Sequence, residues 1–409
     1  MTLNPDKLAA IATGRETSLF AADVAARQQE IVAALAGARV LVIGGAGSIG
    51  SSTAMQLARH DTAALHVVDV NENALVEVVR QLRGSADGLR TRDLQLLPLD
   101  FGSELMRRFL HSQAPYDYVL NFAAVKHVRS EKDACSSLHL VDTNIVKQAR
   151  LIAMLGDRGP APAYFSVSTD KAANPVNLMG ASKRVMEQVM FSSALVPAAG
   201  RRATSARFAN VAFSDGSLLQ GWLQRLSKGQ PLAVPRDTRR FFISLRESGE
   251  LCVLAALCAP DKHVLIPRPT DSLSLRDLVK IAADFLRAQG YEPELFEDER
   301  AAVAAAARGQ AAGRYPLLLT PLDTAGEKAY EEFVAEGETT IDCGLGSLVA
   351  IPFAGIGSDA RLAQIVATLE AAIRDASVAI DKESIAALLA STIPEFRHAS
   401  SDKRLDDRL

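Results

Sequence analysis

No two of the four cysteines, Cys135, Cys252, Cys258 and Cys343, form a CxxC pair, so the sequence suggests neither a zinc site nor a disulfide framework. Buried thiols in a reducing cytoplasm are expected instead, and no metal site is read from the chain. Neither sign of charge dominates: the formal net charge is −3, which offers no electrostatic basis for holding nucleic acid or an anionic membrane. The apolar runs are short, and none approaches the length of a spanning helix. The N-terminus lacks a basic-then-apolar block, so a secretory leader is not expected. There is no internal repeat. What is left is a globular composition, 48% hydrophobic and 23% charged, in 409 residues that suffice for one large or two ordinary domains.

The organisation is legible from periodicity. Residues 17–36 predict an amphipathic helix with Phe20, Val24, Ile31 and Leu35 on one face. Strand and helix patterns then alternate: ARVLVIGG, ALHVVDV, LQLLPLD, YDYVLNFAA, YFSVST and SARFANV read as strands between helices. Repeated units of this length imply an α/β fold with a doubly wound parallel sheet. After Phe213 the pattern loosens, with a helix capped by Ser274 and ended by Gly290. The boundaries predicted are a helical lead-in over 1–36, a dinucleotide-binding domain over 37–212, a smaller substrate-binding α/β domain over 213–354 interleaved with it, and a helical extension over 355–409.

Gly44, Gly47 and Gly50, in GGAGSIG, sit between the first strand and the first helix of this alternation. The chain there must turn tightly, approach a pyrophosphate without a Cβ in the way, and aim a helix N-terminus at negative charge. Asp69 follows at the end of the second strand, as a carboxylate that accepts hydrogen bonds from adenosine ribose hydroxyls. A 2′-phosphate would meet that carboxylate, and DVNEN offers no Arg or Lys to receive it, so NAD is predicted rather than NADP. The cofactor set read here comprises Gly44, Gly47, Ser48, Ile49, Gly50, Asp69 and Asn71; a resemblance to the short-chain dehydrogenase/reductases, which place an Asp at the adenine and small residues against the cofactor, adds Asp100 and Phe101 after the third strand and Ala123 and Ala124 after the fourth.

The segment Tyr164 to Arg184, YFSVSTDKAANPVNLMGASKR, is the most informative stretch. A strand ends in Ser168, Thr169, Asp170 and Lys171, which sets a hydroxyl, a carboxyl and an amine where an open α/β sheet holds its ligands. A helix beginning near Asn177 puts Met179 and Lys183 on one face, at i and i+4.

STDKAANP followed by MGASKR resembles one branch of the extended short-chain dehydrogenase/reductases: the nucleotide-sugar 4,6-dehydratases of bacterial polysaccharide biosynthesis. Met179 stands where the superfamily has a Tyr four residues before its Lys. That replacement resembles the retaining UDP-N-acetylglucosamine 4,6-dehydratases. The resemblance implies a Rossmann fold, NAD, and conversion of a UDP-N-acetylhexosamine to its 4-keto-6-deoxy form through internal hydride transfer. It also implies roles. Asp170 protonates the departing C6 oxygen, Lys171 removes the C5 proton, Thr169 binds the C4 oxygen, and Lys183 binds the nicotinamide ribose and stabilises charge at C4. Met179 shapes the pocket, and the C4 base is Thr169, Asp170 or a water. Lys126 and His127 in AAVKHV resemble pocket-lining residues. RFANVAFSDGSLLQGW resembles RFGNVxxSxGSV, which implies Asn210, Gly216 and Ser217 at the diphosphate. RRFFIS resembles TRFWIT and implies Arg240 as a diphosphate clamp. AGEKAYEEF resembles PGEKLYEEL and implies Glu327 near the nucleotide ribose. Membrane-bound relatives carry helices ahead of this domain, so a soluble, cytoplasmic homo-oligomer, a dimer or larger, is expected. An epimerase or 4-oxidase on the same scaffold is the alternative, and a non-catalytic NAD-binding sensor or scaffold is a third reading.

Overall fold

The computed structural model describes all residues except 1–3, 87, 127–130, 132, 158–161, 193–201, 209, 270–272, 309–312, 322–330, 356–358 and 399–409. Its strands in chain order are β1 (Arg39–Ile43), β2 (Ala64–Asp69), β3 (Asp93–Pro98), β4 (Tyr118–Asn121), β5 (Ala163–Val167), β6 (Ala203–Ala206), β7 (Asn210–Val211), β8 (Leu232–Pro235), β9 (Arg239–Arg240), β10 (Phe242–Ile243), β11 (His263–Pro267), β12 (Arg276–Asp277), β13 (Glu292–Phe296), β14 (Arg314–Thr320) and β15 (Leu348–Pro352). Eight of them form one sheet in the order β15-β11-β6-β5-β4-β1-β2-β3. All neighbours in it are parallel except β15, which runs antiparallel to β11 at the edge. Central strands such as Arg39–Ile43 and Ala64–Asp69 are apolar along nearly their whole length because helices cover both faces. Two apolar cores result. One holds Leu41, Ile145, Met186 and Leu369; the other holds Val40, Val42, Leu57 and Leu254.

The strand order reverses between β1 and β4. There the loops leaving both strands diverge to opposite faces and open the crevice where such sheets bind ligands. Beyond the large sheet stand three small ones: β7 with β10, β9 with β12, and the three-stranded β13-β14-β8. The last packs with helices Leu218–Ser227 and Leu278–Ala288 around Trp222, Phe285 and Tyr315. This smaller lobe is not one continuous segment, since β11 and β15 return to the large sheet.

Two local expectations are corrected. The helix predicted over 17–36 is two helices, Ala21–Ala26 and Gln28–Leu35, broken at Arg27. Asp23 turns inward there and accepts hydrogen bonds from the backbone of Gly346 and Ser347, while Arg27 reaches the Gly344 carbonyl. Ser274 does not cap the later helix. Residues 276–277 stay extended to pair with Arg239–Arg240, and the Asp277 carboxylate caps the helix instead, accepting from the Lys280 amide at 3.0 Å. A separate helix at Pro5–Thr13, within the span predicted as a helical lead-in, packs Leu8 and Ala12 into the core of the smaller lobe.

Candidate active site

One cavity of about 980 Å³ runs across the carboxyl ends of the strands into the smaller lobe. At one end, β1 passes through the glycine-rich turn into the helix Ser48–Leu57. Gly44 has φ +68°, and a Cβ on it would lie 2.4 Å from the Ala123 amide nitrogen. A Cβ on Gly50 would lie 2.3 Å from the Gly44 carbonyl oxygen. Both contacts are with backbone and cannot be relieved by side-chain movement, so this turn requires glycine. Gly47 precedes the helix and offers no side-chain cap, which leaves the first helical N–H groups turned to the cavity. The Asp69 carboxylate accepts from the Ala46 amide at 3.0 Å and the Asn71 amide at 2.9 Å, tying the turn to the end of β2. These residues fit the pyrophosphate and ribose of a dinucleotide.

Gly44, Gly47, Ser48, Ile49, Gly50, Asp69, Asp100, Phe101, Ala123 and Ala124 all line the cavity. Asn71 does not; its side chain caps the helix Glu72–Gly84 instead. Asp100 is committed to Lys147, whose amine donates to it at 2.6 Å. Burial opposes ionisation of Asp100, but the hydrogen bonds from Lys147 and the Gly102 amide prevail and hold its carboxyl below the usual range. Asn144 lies in a π-helical turn, Asp142–Val146, and spends its amide on both backbone groups of Val125 and on Ser182.

The other end of the cavity is made of side chains. Thr169, Lys171, Met179 and Lys183 line it. Asp170 lies just beneath that lining, 5% exposed; it accepts from the Thr169 hydroxyl at 2.7 Å and from the Lys171 amine at 3.3 Å. Asn177 caps the helix Leu178–Phe191, as its sequence position predicts, and this turns Met179 and Lys183 to the same side. Lys183 donates to the Val167 carbonyl at 2.8 Å. Burial lowers its pKa to about 8, against a weaker opposing pull from Glu187.

Behind this wall sits an ion cluster that the sequence did not announce. Arg207, fully buried, donates to Glu187 at 2.8 and 2.6 Å and to Glu338 at 2.6 Å. Arg184 joins at 3.2 Å from Glu187, and the Ser168 hydroxyl donates to Glu187 at 2.6 Å. Burial works against ionising Glu338, but the guanidiniums of Arg207 and Arg184 bring it down to about 2. The cluster therefore fixes the strand end that carries Thr169, Asp170 and Lys171. Glu131 adds a further buried carboxylate, accepting from the Met179 amide at 2.9 Å.

Lys126, from the segment after β4, and Asn210, Gly216, Ser217 and Arg240, on the side of the smaller lobe, also line the cavity. Ser217 caps the helix Leu218–Ser227. Asp215, unforeseen, joins the two ends: its carboxylate accepts from Ser48 and its carbonyl from Lys126, each at 2.8 Å. Glu331, also unforeseen, accepts from Asn210 at 2.6 Å and lies 3.5 Å from the Arg240 guanidinium. Its only sequence signal was its place in AGEKAYEEF. His127 and Glu327 lie outside the described residues.

Comparison with known proteins gives a consistent picture. Residues 40–351 match the family described as "Polysaccharide biosynthesis protein", and the chain belongs to that family. An uncharacterized membrane protein of Methanocaldococcus jannaschii is 30% identical over 306 residues, covering 73% of this chain and 81% of that one. The probable polysaccharide biosynthesis protein EpsC of Bacillus subtilis is 25% identical, covering 76% of this chain but 47% of its own length. The chain thus spans under half of EpsC. The inverting UDP-N-acetylglucosamine 4,6-dehydratase of Campylobacter jejuni is 32% identical over 172 residues, covering 41% of this chain and 50% of that enzyme. Among solved structures, Pen from Bacillus thuringiensis shares the fold with a TM-score of 0.62 at 21% identity, covering 78% of this chain and 88% of Pen. Among the described residues no helix is long and apolar enough to cross a membrane.

Proposed function

We propose that this member of the polysaccharide biosynthesis family is an NAD-dependent nucleotide-sugar 4,6-dehydratase acting on UDP-N-acetylglucosamine. One observation carries the reading: Thr169, Lys171 and Lys183 line the same cavity as the glycine-rich turn and Asp69, with Asp170 bonded to two of them. The relative of known name in Campylobacter jejuni supports the substrate class. When bound, NAD supplies the acceptor that takes a hydride from the sugar and gives it back.

The protein's own groups manage the protons. Lys183, charged below about pH 8, holds the cofactor ribose and sets a positive charge beside the C4 oxygen. Thr169 accepts the C4 hydroxyl proton as it passes its own along the 2.7 Å hydrogen bond to Asp170. Once C4 is a ketone, the C5 proton is acidic, and Lys171, acting as the base, removes it. The C6–O bond breaks, Asp170 returns the proton it received to the leaving oxygen, which departs as water, and Lys171 gives its proton back to C5 as C6 regains the hydride. Met179, 3% exposed, fills the place of a phenol without taking part.

A C4 epimerase on this scaffold is the second reading, favoured by the UDP-glucose 4-epimerase of Rickettsia massiliae, 22% identical over 231 residues. Chromatography coupled to mass spectrometry of UDP-N-acetylglucosamine incubated with the protein and NAD separates the two. Loss of one water is the expected result; an isomer of equal mass replaces dehydratase by epimerase, and an unchanged sugar across a panel of nucleotide sugars removes both.

A further inference from the structure

Glu331 is not part of the cavity lining, yet two lining residues are anchored on it. Its Oε1 accepts from the Asn210 side-chain amide at 2.6 Å and lies 3.5 Å from Arg240 Nε. Its Oε2 meets the Phe241 amide at 3.4 Å. Its side chain is 4% exposed. Arg240 is braced from its other side, since β9 pairs with β12 and Arg240 Nη1 donates to the Arg239 carbonyl at 3.0 Å. Among the described residues two charged groups face Glu331: Asp170 from the turn after β5 and Arg240 from β9. Glu331 thus feels one like charge and one opposite charge while almost wholly buried. Burial first, then the Asp170 charge, pushes the Glu331 carboxyl above its usual range, and Arg240 and Asn210 offset this only in part.

This arrangement sets up a competition. Arg240 and Asn210 are the groups read as gripping the diphosphate, and Glu331 holds both. An ionised Glu331 beside an arriving diphosphate would add a further negative charge to those of the phosphates and Asp170. We propose that Glu331 is a positioning residue that orients Asn210 and Arg240 before the nucleotide sugar binds, then takes up a proton and releases the Arg240 guanidinium to the phosphates. This rests on the nucleotide-sugar reading above, but not on which reaction follows. Binding is strongest while Glu331 is protonated and weakens as pH rises through its folded pKa, because the anionic ligand must then draw a proton from solvent.

The test uses the full chain with NAD and UDP-xylose, a nucleotide sugar without a C6 hydroxymethyl group, which cannot lose water there. Titration calorimetry between about pH 5 and 8, in buffers of different ionisation enthalpy, counts protons taken up on binding. The wild-type protein takes up a fraction of a proton that peaks inside this window, and its affinity falls with rising pH. Glu331→Gln keeps an acceptor for Asn210 and binds within about threefold of the wild-type affinity at the acid end, with no uptake and no slope. No uptake by the wild type overturns the proposal without recourse to any variant. So does a Gln variant that keeps the wild-type slope, or one that melts normally but binds more than about tenfold more weakly at the acid end. A wild-type protein that binds neither UDP-xylose nor UDP-N-acetylglucosamine overturns the nucleotide-sugar reading together with this one.

Discussion

The two ends of the cavity are built by different means. At the nucleotide end the backbone does the work: a turn that only glycine permits, uncapped amides at the start of the helix Ser48–Leu57, and one carboxylate, Asp69, within a span of 26 residues, 44–69. At the sugar end side chains do the work. They come from β5, the helix Leu178–Phe191, β7, β9 and the segment around Glu331, brought together by contacts across more than a hundred residues of sequence. Backbone recognition is rigid and general, and suits a cofactor shared by many enzymes. Side-chain recognition is specific but needs support, which here is a buried ion cluster behind the wall that carries Thr169, Asp170 and Lys171.

The largest expected effect belongs to the sugar end. Asp170→Asn and Lys171→Ala each lower dehydration by roughly 10³-fold or more while dinucleotide affinity, followed by fluorescence, is unchanged. Full turnover in either variant would take that residue out of the mechanism. Next comes the support. Arg207→Ala strands Glu187, which is 0% exposed, and destabilises the fold by about 3–5 kcal/mol in denaturant unfolding. A loss below about 1 kcal/mol would mean the cluster is dispensable.

Why one end was legible and the other was not follows from the same contrast. Gly44, Gly50 and Asp69 are close in sequence because they serve one strand–turn–helix–strand unit, and most of what they need is set within it, the approach of Ala123 to Gly44 aside. Asn177 and Lys183 were legible for the same reason: capping and i, i+4 spacing are local. Glu331, Lys147 and Asp215 act through partners 121, 47 and 167 residues away, and apart from the place of Glu331 in AGEKAYEEF nothing in the local pattern marks them. The break at Arg27 and the cap at Asp277 were misjudged because tertiary pairing, to Gly346–Ser347 and to Arg239–Arg240, overrode the periodicity.

Two smaller effects sharpen the contrast. Gly50→Ala presses a Cβ against the Gly44 carbonyl, and is expected to weaken dinucleotide binding by at least ~10-fold and to lower thermal stability as well. Equal affinity would mean the turn can relax. Lys183 predicts a pH limb: its charged form is the active one, so turnover falls as pH rises through about 8. In whatever activity Lys183→Arg retains, the limb is absent, because a guanidinium stays charged. A limb that persists there at the same pH assigns it to another group.

The claim on which the account turns is that a hydride leaves C4 and comes back at C6 of the same sugar. UDP-N-acetylglucosamine carrying deuterium at C4 tests it directly, with the product read by nuclear magnetic resonance. The account predicts deuterium in the new C6 methyl group and none left at C4. Deuterium still on C4 of a product that retains its C6 hydroxyl would contradict it.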